Sequence, residues 1–188
     1  MDYEVNCARY GCLSIVKASA VTHTPPQGQE ELYVSQTNPS PVWIPRRTGD
    51  SPLPRVPIIK SGIDGEEGDL YFGRSSIGGL KPCKVTTKVV KYAPVFDCWS
   101  TTSGEKVLSG EILQDTGHEL VRAKIDDPVP PNAVIAGLSE TDGTLYLGRV
   151  GGSIPCAVST EKDKIKNFCF YAAGVKQVES GEIVVLTK

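Results

Sequence analysis

The chain lacks long apolar runs, is poor in aromatic residues (7%), and contains two histidines, one methionine and no excess of either charge. Its apolar runs last only a few residues, far short of the roughly twenty needed for a membrane-crossing helix, so no transmembrane segment is expected. A net charge of −2 leaves no general surplus of Lys and Arg to neutralise phosphates, which argues against a nucleic-acid partner beyond a local patch such as Arg46-Arg47. His23 and His118 are isolated and the cysteines form no Cys-X-X-Cys pair, so neither a metal site nor a cofactor is expected. There is no Gly-X-Ser-X-Gly elbow, no phosphate-binding glycine loop and no pair of acids singled out for glycoside hydrolysis, and the chain reads as a non-enzyme.

Acidic residues follow Met1 where a secretory leader would carry positive charge, and no apolar core comes after them, so synthesis in the cytoplasm is expected, with leaderless secretion as the route out. Under that expectation the six cysteines read as reduced thiols packed as small hydrophobes, although their even number would also suit disulfides. Asn38 is followed by Pro39, so it is not a glycosylation acceptor.

Glycine (19) and proline (14) recur throughout, β-branched aliphatics dominate, and no segment keeps helical spacing over three turns, which together predict an all-β protein. Short strands are expected at residues 69–73, 84–90, 95–100, 110–113, 144–148, 167–172 and 182–186. In Lys84–Val89 the alternation predicts a dry valine face and a wet face bearing Lys84, Thr86 and Lys88. Ile183–Leu186 is apolar on both faces, as suits an interior strand between two layers. Residues 35–57 are rich in proline and read as a linker or loop.

Within this pattern the chain repeats itself. Leu70-Tyr71-Phe72-Gly73-Arg74 returns as Leu145-Tyr146-Leu147-Gly148-Arg149, in an ungapped register that runs from Gly62 to Arg74 against Gly137 to Arg149. Downstream, Pro82-Cys83 matches Pro155-Cys156, Cys98 aligns with Cys169, and Ser109-Gly110-Glu111-Ile112 matches Ser180-Gly181-Glu182-Ile183. At about seventy residues each, the copies are too long for common solenoid periods and favour one compact body. The division expected is 1–53, a degenerate partial repeat plus a Pro-rich linker; 54–115, the first repeat; and 126–188, the second. Glu31–Ser35 faintly resembles the Leu-Tyr strand, which allows a decayed third copy, a single unrelated strand being the plainer reading.

These residues resemble the DM-nine repeat family. Its pattern appears most clearly in Pro130–Gly137, Asp142-Gly143 and Leu145–Arg149, with Gly62-Ile63-Asp64-Gly65 and Pro82-Cys83-Lys84 in the first copy and Asp2-Tyr3-Glu4-Val5 like the family's terminal strand. The resemblance covers roughly Pro54 to Lys188 and implies two interlocked repeats forming a pseudo-twofold, antiparallel β-sheet body. It also implies a lectin for mannose-type glycans, acting in pattern recognition and innate immunity, in which an acidic turn residue and a lysine clamp the sugar.

The resemblance puts carbohydrate-binding residues at Asp64, Lys84, Glu67 and Asp142. Lys84 is replaced by Ala157 in the second copy and Asp64 by Ser139, so one site is expected to survive and the other to be weakened or lost. A carboxylate accepting from vicinal hydroxyls beside an ammonium donating to one of them gives a directional clamp. Tyr71, Tyr92, Tyr146 or Trp99 could add an apolar ring face. Simpler readings stand beside these: Asp64 as a turn former before glycine, Glu66, Glu67 and Asp69 as a solvated acidic loop, Arg74 and Arg149 as structural ties, and Tyr71 and Tyr146 as packing residues. Shallow single sites favour a homodimer for avidity. The alternative from another class is a non-lectin scaffold binding protein or vesicle-associated partners.

Overall fold

The computed structural model describes residues 39–47, 50, 53–75, 80–86, 89–90, 93–94, 96–171 and 174–187. The expectations that fall on 1–38 and on Tyr92, including the decayed copy and Asp2–Val5, lie outside these residues. The described chain is all-β: no helix occurs among the described residues, and the strands form two antiparallel sheets of seven strands each plus a two-stranded ribbon.

The first sheet contains β1 (Trp43–Arg47), β2 (Lys60–Asp64), β3 (Gly68–Ser75), β4 (Lys81–Thr86), β7 (Asp97–Ser100), β8 (Lys106–Val107) and β9 (Ser109–Leu113), with β5 (Val89–Val90) and β6 (Ala93–Pro94) forming the ribbon. The second contains β10 (His118–Lys124), β11 (Ile135–Ser139), β12 (Gly143–Val150), β13 (Ile154–Glu161), β14 (Lys164–Tyr171), β15 (Val175–Val178) and β16 (Ser180–Leu186). Strand order is β1-β9-β3-β4-β7-β8 in one and β10-β16-β12-β13-β14-β15 in the other, with β2 on β3 and β11 on β12. Matching residues pair alike: Gly73 opposes Cys83 and Ile112, and Gly148 opposes Cys156 and Ile183.

Two sequence expectations change here. Trp43–Arg47, read as part of a loop, is a strand paired with β9 as β10 is paired with β16. Pro45 gives the segment a loop-like look, yet a proline within a run suits an edge strand, and β1 is such an edge. The supposed wet face of Lys84–Val89 is dry where it is described: Lys84 is 6% exposed and Thr86 3%. Lys84 lies directly across from Phe72, whose side chain belongs to the core shared by the two sheets, so that face points into the molecule.

That shared core brings Ile59, Phe72 and Leu113 against Val134, Leu147, Val184 and Leu186. Each sheet has a further core on its other side, around Tyr71, Val85 and Ile112 in the first and Val158, Phe168 and Ile183 in the second. Strands β3, β12 and β16 are therefore buried on both faces, and Ile183–Leu186 divides between two cores as its double-sided apolarity requires.

Reciprocal contacts tie the sheets together. A Cβ on Gly62 would collide with Ser153 in the second repeat, and one on Gly137 would collide with the Leu80 backbone in the first. Since Gly62 matches Gly137 and Leu80 matches Ser153, the same contact is made in both directions. Ser61 Oγ donates to the Ser153 carbonyl, and Arg149 Nη1 donates to the Ser61 carbonyl at 2.8 Å. Arg74 and Arg149 also hold Glu111 and Glu182, with Nε to Oε2 distances of 2.5 and 2.7 Å, so both arginines have structural work.

The cysteines depart from expectation as well. Cys83 and Cys98 form a disulfide, whereas Cys156 and Cys169 are free thiols. Strand register explains the difference. Cys98 opposes Val85 and so shares a face with Cys83, two positions away, but Cys169 opposes Ala157 and faces away from Cys156. The structural counterpart of Cys98 is thus Phe168, and the alignment of Cys98 with Cys169 was one residue out of register.

Two measurements follow from this architecture. Gly137→Ala should destabilise the protein by about 1–3 kcal/mol or more in urea unfolding, because overpacking here meets backbone that cannot rotate away, whereas Gly65→Ala, with open space around it, should stay near wild type. Reduction of Cys83–Cys98, whose sequence separation is 15, should cost roughly 3 kcal/mol of stability, and peptide mapping of the unreduced protein should find Cys156 and Cys169 unjoined.

Candidate functional site

The tight turn from β2 to β3 positions the acidic residues. Asp64 Oδ1 accepts backbone N–H bonds from Glu66 at 2.8 Å and Glu67 at 3.0 Å, and Gly68 takes a φ of 76°, a conformation glycine adopts without strain. The folded-over turn aims Glu67 at β4, where its Oε2 lies 2.5 Å from Lys84 Nζ. Asp69, on the strand beyond, pairs instead with Lys60 at 2.5 Å and accepts from the Tyr71 hydroxyl at 3.2 Å.

Asp64, Glu67 and Lys84 therefore meet at one place, while Asp142 lies apart in the second repeat. The roles differ from the expected ones. Glu67, put in the site by the resemblance and in a solvated loop by the plainer reading, is the direct partner of Lys84, and the Asp64 carboxylate is engaged first by the backbone. Those two N–H bonds, with a smaller contribution from the Lys84 charge, hold the Asp64 carboxyl below the usual aspartate range. Glu67 is one-third exposed at its side chain, but the Lys84 side chain is only 7% exposed, so the pair sits at the mouth of the seam with its anion outward.

Sequence reading named Trp99 as a candidate ring face but missed Asp97 and Lys106 beside it. Trp99 stands opposite Lys84 and Lys106 opposite Trp99, and Lys106 Nζ is 2.7 Å from Asp97 Oδ1 and 5.9 Å from the Trp99 ring centre. The group forms a charged band around an indole, an arrangement suited to hydroxylated ligands with one apolar face. The missing signal was register: only correct placement of the deletion between copies sets Trp99 against Cys169.

The second repeat carries the same backbone with different chemistry. Asp142 replaces Glu67, Ala157 Lys84, Cys169 Trp99, Gln177 Lys106 and Asn167 Asp97, as the paired registers require. Asp142 Oδ2 accepts from the Ser139 and Thr141 hydroxyls at 3.1 and 2.9 Å. Between these residues lies a cavity of about 150 Å³.

Two larger clefts, of about 690 and 510 Å³, also correspond, one beside Arg122, Lys124 and Asp127, the other beside Arg46, Arg47 and Asp50. In each an Asp accepts a backbone N–H three residues back, from Lys124 or Arg47, at 2.9 and 2.8 Å, a turn-forming role that accounts for it without a ligand. Among the described residues no group of His, Cys, Asp and Glu could hold a metal ion. No helix among them is long and apolar enough to cross a membrane. Compared with protein-family models and with curated proteins, the chain matches none.

The Asp64 geometry makes a titration prediction. A depressed folded-state pKa contributes stability above the unfolded value that is lost as pH falls through the folded one, and the half-exposed site keeps that contribution small. Carboxyl-carbon NMR should find Asp64 titrating below an ordinary aspartate. Lys84→Met should raise its pKa only partway, because the larger cause, the backbone bonds, remains.

Proposed function

We propose that this chain is a carbohydrate-binding protein, a lectin for mannose-type glycans of DM-nine type, built as a pseudo-twofold pair of repeats and acting in pattern recognition. One observation carries this reading: Lys84 Nζ is 2.5 Å from Glu67 Oε2 with the Asp64 carboxylate close enough to be stabilised by the same ammonium. In the proposed complex, vicinal pyranose hydroxyls donate to the two carboxylates and one accepts from the lysine, while Trp99 offers the ring an apolar surface. Charge-assisted hydrogen bonds set the orientation, and the shallow position keeps a single site weak, so multivalency, including a homodimer, supplies avidity. The Cys83–Cys98 disulfide supports a working life in an oxidising compartment.

A second reading, a non-lectin scaffold for protein or vesicle-associated partners, is favoured by the burial of Lys84, which would make its ion pair architectural.

Lys84→Met separates the two. It keeps the apolar stem in place and leaves Glu67 able to regain water, so folding should change by less than about 1 kcal/mol, the range of partly exposed ion pairs. On the lectin reading, calorimetric affinity for methyl α-mannoside and retention on a mannan surface should fall at least about tenfold, the loss of one charged hydrogen bond. Wild-type protein that retains no sugar on a glycan array, or a Lys84→Met variant with an unchanged profile, returns the site to the scaffold reading.

A further inference from the structure

The cavity of the second repeat lies where the first repeat carries its lysine and tryptophan. With Ala157 and Cys169 in those places, the volume of two large side chains is missing, and about 150 Å³ of space lies over Leu145 and Ala157. Thr102 from the first repeat contributes to its wall, so the approach of the two sheets helps to enclose it.

Its polar groups point to one kind of ligand. Asn167 Oδ1 accepts from Ser159 Oγ at 2.8 Å, which turns the amide N–H2 to other partners. Asp142 is an acceptor, already steadied by two hydroxyls. Leu145, Ala157 and Val175 are apolar. An anion would be opposed by Asp142, and the amide donors from Asn167 ask for a carbonyl rather than an ammonium. A donor and an acceptor in one planar neutral group, with a methyl beside them, satisfy all three sets.

We propose that this cavity is a second binding site, which takes the acetamido group of an N-acetylated hexosamine. The acetamido N–H donates to the Asp142 carboxylate, its carbonyl accepts from the Asn167 amide, and its methyl fills the space over Ala157 and Val175. The two repeats then select differently: a charged clamp on hydroxyls in the first, an amide-reading pocket in the second. The choice of a sugar as carrier rests on the lectin reading; the acetamido specificity rests on the cavity alone. Cys169, partly buried at the wall and hydrogen-bonded by Gln177, supplies an internal reporter.

The test uses the full chain, titrated with N-acetylglucosamine, glucose and methyl α-mannoside by calorimetry, and alkylated by iodoacetamide with Cys169 followed by peptide mass mapping. N-acetylglucosamine should slow Cys169 alkylation several-fold and bind at least tenfold more tightly than glucose. Asn167→Asp, which replaces the amide N–H2 donor to the ligand carbonyl with a carboxylate acceptor, should weaken it at least tenfold, and Ala157→Leu, which fills the pocket, should abolish protection while the unfolding midpoint holds. Cys169 protection reports the second repeat's cavity alone, so failure of the mannoside arm by itself sinks only the first-site reading. Equal binding of glucose and N-acetylglucosamine, absence of Cys169 protection, or undiminished binding by a folded Ala157→Leu protein overturns the proposal.

Discussion

Everything in this molecule depends on how closely its two sheets approach at Gly62 and Gly137. At each, the backbone of the other repeat occupies the space of a Cβ, and no rotamer change can relieve a clash with main chain. Only because that approach is so tight do Phe72 and Leu147 share one core, and only because they share it do β4 and β13 turn their inner faces away from water. Burial of polar groups on that face is otherwise costly, so each must be paired. Lys84 with Glu67, Asp97 with Lys106, and Ser159 with Asn167 are three such pairings.

Much of this was legible in the residues. The Leu-Tyr-X-Gly-Arg echo located β3 and β12, and Ile183–Leu186 revealed a strand facing two layers; the matched Gly62 and Gly137 were legible as a repeat but not as points of close approach. What stayed hidden was partnership. Alternation in Lys84–Val89 correctly predicts two faces but cannot say whether the polar one meets water or a second sheet, because that is settled by residues a whole repeat away. Proline in Trp43–Arg47 disguised an edge strand as a loop. The candidate acid was found at Asp64 by its turn, yet the contact with Lys84 comes from Glu67, because the turn consumes the Asp64 carboxylate on its own N–H groups. Asn167 and Gln177 went unremarked, and Trp99 was named without its partners, since a one-residue error in aligning cysteines places their neighbours on the wrong face.

The same one-residue shift explains why, among the described residues, only one half of the duplicated fold carries a disulfide. Where the first sheet has Cys98, the second has Phe168, fully buried. Closing a loop of this size is worth roughly 3 kcal/mol, and burying a phenylalanine side chain about 1.5–3 kcal/mol. Covalent and apolar solutions at equivalent positions are thus of comparable strength. The Phe168 ring also lies against the Cα of Gly181, where a Cβ would meet it, much as the Cys98 sulfur lies against Gly110. Each filler fits the same glycine-lined recess, and neither half is left with an empty one.

The polar differences between the halves obey a stricter rule than the apolar ones. Removing one member of a fully buried ion pair strands its partner, at about 3–5 kcal/mol, and the cost falls as the stranded partner reaches water, so the more deeply the partner lies, the more firmly both charges must disappear together. Asp97 and Lys106 do so, their places being taken by Asn167 and Gln177, two amides of similar shape. Lys84 and Glu67 do not: the cation is lost to Ala157, but an acid persists as Asp142. Two hydroxyls, from Ser139 and Thr141, now donate to its Oδ2, so the carboxylate is solvated by its own turn rather than by a lysine. Ser139 occupies the place of Asp64, and the exchange of an acid for a hydroxyl there is what makes the loss of the lysine tolerable. Stability alone asks only that Asp142 be compensated or gone. Its carboxylate lines the unfilled cavity, where it is the acceptor that the proposed acetamido ligand requires.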